Sequence, residues 1–261
     1  MQIGIFPFGE PVIPVCQRDR SRKRVFVLGV YASAVHARWI GADGRTRINA
    51  VAVASEPEIF WCGGAESAQT IIDRIKLPHE AGRLVPAREG LNGPSGMALD
   101  ELFLKPLGLA RSDTWLCDLV PYSCMNSSQE RALERSYDPV RESLGLPEYD
   151  WPRLPTVLAT EARRREIEAE LIDFGADIVI TLGDQPLKWF TRHYGTAGSL
   201  GRYGRTSAEY GQLHSFHVGG REMQLLPLAH PRQAGRLGSH SSTWAALHGD
   251  WVAQAPTVTS R

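Results

Sequence analysis

The sequence predicts an α/β fold with three α/β/α layers around a central, mostly parallel four-stranded sheet, plus an inserted β-hairpin. Three observations predict it. Four short apolar runs recur, at residues 25–29, 115–120, 177–183 and 223–228. Each is nearly continuous in apolar character, as buried strands are. Stretches with helical spacing of apolar residues separate them, the alternation that gives parallel strands with crossover helices.

The elements follow in order. Arg22-Lys23-Arg24 precedes Val25-Phe26-Val27-Leu28-Gly29, a strand that opens into a loop. Residues 37–61 hold two alternating runs, 37–40 and 48–53, around Asp43-Gly44, which predicts the inserted hairpin. Residues 65–75 read as a helix and 80–95, rich in Gly and Pro, as a loop. Met97, Leu99, Leu102, Phe103 and Leu107 stand at helical spacing. The second strand, residues 115–120, is interrupted by one carboxylate, Asp118. Residues 127–155 are polar and Pro-punctuated, with a helix predicted near 137–144. Thr160 caps a helix that presents Ile167, Leu171 and Phe174 and ends at Gly175. After the third strand, Asp184-Gln185-Pro186 opens a helix with Pro in its first turn. Residues 194–221 predict a long loop or hairpin, and 241–251 a closing helix. With no internal repeat, residues 1–261 read as one domain.

The 261 residues carry 29 Lys plus Arg against 29 Asp plus Glu, so any nucleic-acid footprint must be local. No apolar run is long enough to span a bilayer as a helix, so no membrane partner is expected. Residues 1–14 lack a basic region, so no signal peptide is expected. Cys16, Cys62, Cys117 and Cys124 form no C-x-x-C pair. The expectation is a reduced, cytoplasmic, monomeric protein with no cofactor and no metal site.

In open α/β sheets the ligand crevice lies beyond the carboxyl ends of the strands. Three unusual segments fall there: Gly29-Val30-Tyr31-Ala32-Ser33, Asp118 with Pro121-Tyr122-Ser123, and Ala229-His230-Pro231-Arg232.

Taken in order, these segments resemble the uracil-DNA glycosylase superfamily. The resemblance covers residues 24–36, 90–126 and 177–237. Gly29-Val30-Tyr31-Ala32-Ser33 stands where that superfamily keeps its first motif. Gly90-Leu91-Asn92-Gly93-Pro94-Ser95-Gly96 resembles its Gly-rich turn, and residues 115–120 its base-recognition strand. Ile180-Thr181-Leu182-Gly183-Asp184 is similar to its Leu-Gly strand, and His230-Pro231 to the start of its second motif.

The resemblance implies a monofunctional DNA glycosylase that flips a base into a pocket and leaves an abasic site. His230, Asp118 and His36 are the implied catalytic residues. His230 would stabilise the departing base anion by hydrogen bonding, and His36, Ser33 and Asp118 are candidates to position water. Gly29, Val30, Tyr31, Ala32, Ser33, Leu91 and Tyr122 would line the base pocket, with Phe60, Trp61 or Tyr122 stacking on the base. Gly93, Ser95, Arg232, Gln233, Arg236, Leu237, Arg202 and Arg205 are implied DNA contacts, with Leu237 as a wedge.

Two departures bear on the substrate. The family usually has Asn where this chain has Asp118, and an ionised carboxylate only accepts hydrogen bonds, as from a cytosine N4 amine. Small residues, Ala32-Ser33-Ala34, follow Tyr31 and leave room for a 5-substituent. The expected substrate is therefore a 5-substituted cytosine, hydroxymethyl or glucosylated hydroxymethyl, in phage DNA, and the expected role antiviral defence. The alternatives are a uracil or deaminated-base repair glycosylase and a non-catalytic module that binds modified DNA or a nucleotide.

Overall fold

A computed structural model of the chain describes residues 2–236 and 242–254. The elements begin with β1 (Gly4–Ile5), β2 (Pro11–Val12), β3 (Val25–Tyr31), β4 (Ala34–Ile40) and β5 (Thr46–Ser55). Next come α1 (Ala65–Ile72), β6 (Arg83–Pro86), α2 (Pro94–Leu99), β7 (Thr114–Val120) and α3 (Ser127–Ser136). They end with α4 (Glu161–Asp173), β8 (Ile178–Leu182), α5 (Asp184–Trp189), β9 (His214–Val218), β10 (Arg221–Leu228), α6 (Pro231–Ala234) and α7 (Ser242–Gln254). No helix of the described residues is long and apolar enough to cross a membrane.

Contacts divide the chain into two compact units. The first comprises Met1–Val15, Tyr31–Pro94 and Pro121–Pro155. Its centre is an antiparallel three-stranded sheet in the order β5-β4-β6. β4 and β5 form a hairpin around Asp43 and Gly44, paired from Ala34↔Ser55 to Ile40↔Thr46. Its apolar core holds Phe8, Trp39 and Tyr137 in mutual ring contact at 5.1–5.9 Å. The polar ends of the two larger rings are satisfied: Trp39 Nε1 donates to Ala81 O at 2.7 Å, and Tyr137 Oη to Pro147 O at 2.8 Å.

The helix expected near 137–144 lies earlier, at α3. Asn126 caps it, its side chain accepting from the backbone N–H groups of Ser128 and Gln129. Pro139 has no N–H with which to continue α3, and a short 3₁₀ turn, Asp138–Val140, follows instead. The periodicity of 137–144 was that of core contacts from a turn, led by buried Tyr137.

The second unit comprises Cys16–Val30, Ser95–Val120 and Thr156–Arg261. It holds a mostly parallel five-stranded sheet in the order β7-β3-β8-β10-β9, flanked by helices. β3 and β10 run parallel to β8 on either side, and β9 runs antiparallel to β10. β9 is the strand that the four-stranded expectation lacks, and it lies within the predicted loop 194–221. Its five residues alternate in burial, Phe216 and Val218 inward with Ser215 and His217 outward, and Gly219-Gly220 turns the chain into β10. α4 starts at Thr160, whose hydroxyl accepts from Arg163 N, and buries Ile167 and Leu171. Trp115 of β7 stacks on Phe174 just beyond α4, with ring centroids 3.7 Å apart.

Candidate active site

Asp118 lies near the carboxyl end of β7. Successive side chains of a strand point to opposite faces. Trp115 donates to Glu170 of α4 at 2.7 Å, and Arg163 of α4 reaches Cys117 Sγ at 3.3 Å, so Asp118 points away from α4. It is 4% exposed, and no described group hydrogen-bonds its carboxyl. Arg163 does not pair with that carboxyl. Its guanidinium donates to the backbone carbonyls of Asp118 at 2.8 Å and Leu119 at 3.2 Å, and to Glu166 at 2.8 Å. Burial therefore pushes the Asp118 carboxyl up to about 7, against a lowering influence of the Arg163 charge. At neutral pH a large fraction is a neutral acid, which both donates and accepts.

His230 follows β10 and caps α6. Its Nδ1 accepts from Arg232 N at 3.2 Å, and its own backbone N–H donates to Gln233 Oε1 at 3.1 Å. An accepting Nδ1 carries no proton, so a neutral ring bears its proton on Nε2, as a donor. Gly183, directly after β8, sits against the Cβ and backbone of His230. Its φ is +86°, and a Cβ there would lie 3.0 Å from His230 Cβ. The residue before His230 is held from the other side. Ala229 N donates to Tyr210 Oη at 2.7 Å, Tyr210 Oη pairs with His248 Nδ1 at 2.8 Å, and His248 Nε2 pairs with Leu102 O at 2.9 Å. The chain of bonds is consistent in one direction: His248 donates from Nε2, Tyr210 donates to His248, and Ala229 donates to Tyr210. Burial pushes the His248 imidazole down to about 4, which keeps that relay neutral.

β3 and β8 lie between β7 and β10. Asp118 and His230 are thus three strand spacings apart, about 14 Å between backbones. Gly29 and Val30, at the end of β3, belong to the same unit. Two cavities are described in it, and neither is lined by Asp118 or His230. One is an apolar void among Val25, Ile178, Leu226 and Trp251, toward the amino ends of the strands.

The remaining expected site residues separate by unit. Tyr31, Ala32, Ser33, His36, Leu91, Gly93 and Tyr122 fall in the first unit. His36 is gripped through its backbone: Asn92 Oδ1 accepts from His36 N at 2.7 Å, and Asn92 Nδ2 donates to His36 O at 3.0 Å. Gly93 and Gly63 pack backbone to backbone, each leaving no space for a side chain. Of the expected stacking residues, Trp61 belongs to the core and Tyr122 packs against it. Phe60 is half-buried with a φ of +51°, a strained conformation for an aromatic residue.

Ser95 is the second residue of α2 in the second unit. Gln233 closes the His230 capping box, and Arg236 takes a φ of +53°. Arg202 and Arg205 lie on the surface between α5 and β9. Leu237 lies outside the described residues. Among those, no three His, Cys, Asp or Glu side chains cluster to hold a metal.

Sequence reasoning missed Arg163, Tyr210 and His248, and it quoted Gly183 and Asn92 within motifs without giving either a role. The Arg163 and Asn92 bonds go to backbone groups, which leave no residue-type signature. Tyr210 and His248 are 38 positions apart, so no local spacing links them. Neither a protein-family model nor a curated protein matches this chain.

Proposed function

We propose that the chain is a monofunctional DNA glycosylase that extrudes and excises a 5-substituted cytosine, hydroxymethyl or glucosylated hydroxymethyl, from phage DNA. The observation that carries the reading is the Asp118 carboxyl, buried and without a hydrogen-bond partner near the carboxyl end of a strand. Such a group in a folded interior calls for a ligand to complete it. As a neutral acid it donates its proton to cytosine N3 while its carbonyl oxygen accepts from the N4 amine.

In the reaction, the bond from the sugar C1′ to base N1 breaks heterolytically and its electron pair stays with the base. His230 Nε2–H donates to the base O2 as negative charge develops there. Donors aimed at developing charge typically contribute about 3 kcal/mol. The oxygen of a water then bonds to C1′, and its proton is released. The choice of a base with a bulky 5-position comes from the sequence, where the small run Ala32-Ser33-Ala34 follows Tyr31. The reading also carries an α/β/α layering around the mostly parallel sheet, and a monomeric, cytoplasmic enzyme that needs no cofactor.

One observation favours a second reading. A neutral carboxyl offers the same donor–acceptor pair as an amide, and so fits the O4 and N3–H of uracil. The test uses matched duplexes containing uracil, cytosine, 5-hydroxymethylcytosine or its glucoside, scored for released base and alkali-labile sites. Release of the modified cytosine, lost in His230→Ala, supports the first reading. Release of uracil alone supports the second, and no release from any duplex ends both.

A further inference from the structure

The segment after α5 forms a concavity lined by Arg192, Thr196, Ala197, Gly198, Ser199 and Arg202. Among the described residues no carboxylate pairs with either arginine. No described group accepts from the backbone N–H groups of Ala197, Gly198 or Ser199. The floor is nevertheless ordered. Thr196 Oγ1 donates to Thr191 Oγ1 at 2.8 Å, Tyr203 Oη donates to Ala197 O at 3.3 Å, and Leu200 N donates to Asp184 Oδ1 at 2.7 Å. The last bond ties the segment to the turn after β8 that also carries Gly183, the residue against His230. The neighbouring His193 imidazole is held below its usual range, first by burial and then by the positive charges of Arg164 and Arg192. The protein has no net charge, so this positive field is local.

We propose that this concavity is a phosphate-binding site that takes a phosphodiester of a nucleic-acid backbone. Two unpaired guanidiniums offer forked donors that match phosphate oxygens, and the backbone N–H groups between them form the anion-binding edge. Because the bonds beneath are already made, little ordering is required on binding. The assignment to nucleic acid rests on the glycosylase reading.

The test measures binding of the full chain to an unmodified duplex, which holds no excisable base, across a salt series. Each phosphate contact contributes about 0.9 to the slope of log affinity against log salt. Arg192→Gln with Arg202→Gln is expected to make that slope shallower by about 2 and to weaken binding at least tenfold at low salt. Thermal unfolding of the variant serves as the folding control, since both arginines are exposed. An unchanged slope and affinity overturns the site. So does arginine-dependent binding of inorganic phosphate or pyrophosphate by a protein whose duplex binding ignores the substitutions, because the anion is then a free one. A protein that holds duplex through these arginines and releases no base keeps this site and loses the excision reading.

Discussion

The Arg163 guanidinium donates to the backbone carbonyl of Asp118 at 2.8 Å and leaves the Asp118 carboxyl unpaired. The charge nearest that carboxyl fixes its strand instead of neutralising it.

This arrangement gives stability a pH dependence. Burial raises the folded value of Asp118 to about 7, above the unfolded carboxylate value. The folded state therefore binds the extra proton in between, and stability falls as pH rises from about 4 to 7, then levels. The loss at full ionisation is on the order of 4 kcal/mol as an upper bound. Asp118→Asn removes the titration, so its stability advantage in urea unfolding should grow over that window and stay constant above it. An advantage independent of pH rules out a buried, neutral Asp118. If the neutral acid reads the base, excision by the wild type declines as pH passes about 7, whereas that of Asp118→Asn does not.

Gly183 tests the seat of His230. An alanine there meets two obstacles: a φ of +86° that L side chains rarely adopt, and a Cβ 3.0 Å from that of His230. Gly183→Ala should cost about 1–2 kcal/mol of stability through the backbone alone. Base release should fall further than duplex affinity, because the imidazole is displaced while the rest of the surface is untouched. Single-turnover rates and binding curves separate the two effects. Equal losses in both place His230 outside the chemistry.

Tyr210 tests the relay behind it. Tyr210→Phe leaves the buried Ala229 N–H without its acceptor and His248 Nδ1 without its donor. An unsatisfied buried group of this kind costs about 1–3 kcal/mol. The expected signature is a fall in kcat with KM retained. His248 has a folded value of about 4, below the unfolded one, so its contribution is complete at neutral pH and is lost as pH falls from about 6.5 toward 4. Tyr210→Phe should lower stability by a constant amount above pH 7 and change the shape of the profile only on the acid limb, where His248 titrates. A fall in stability with kcat unchanged assigns the relay to packing alone.

Much of the fold was legible because burial leaves a composition trace. β3, β7, β8 and β10 each announced themselves as apolar runs, and Thr160 and Gly175 marked the ends of α4. β9 was not legible, because only Phe216 and Val218 of its five residues turn inward beside a Gly- and His-rich stretch. α3 was overlooked because Leu133 is its one buried residue, and its start is written in Asn126 rather than in periodicity. At the site, Asp118 and His230 stood out as polar residues at strand ends. What surrounds them was hidden, since Arg163 works through carbonyls, Gly183 through the side chain it lacks, and Tyr210 through partners distant in sequence.

Gly63 and Gly93 touch main chain to main chain, so neither position tolerates a Cβ while the other loop stays where it is. A change at one is felt at once by a segment 30 residues away in the chain. Each glycine is thus held twice over, by the main chain opposite and by its own positive φ, and a variant that replaces either one has rebuilt both loops.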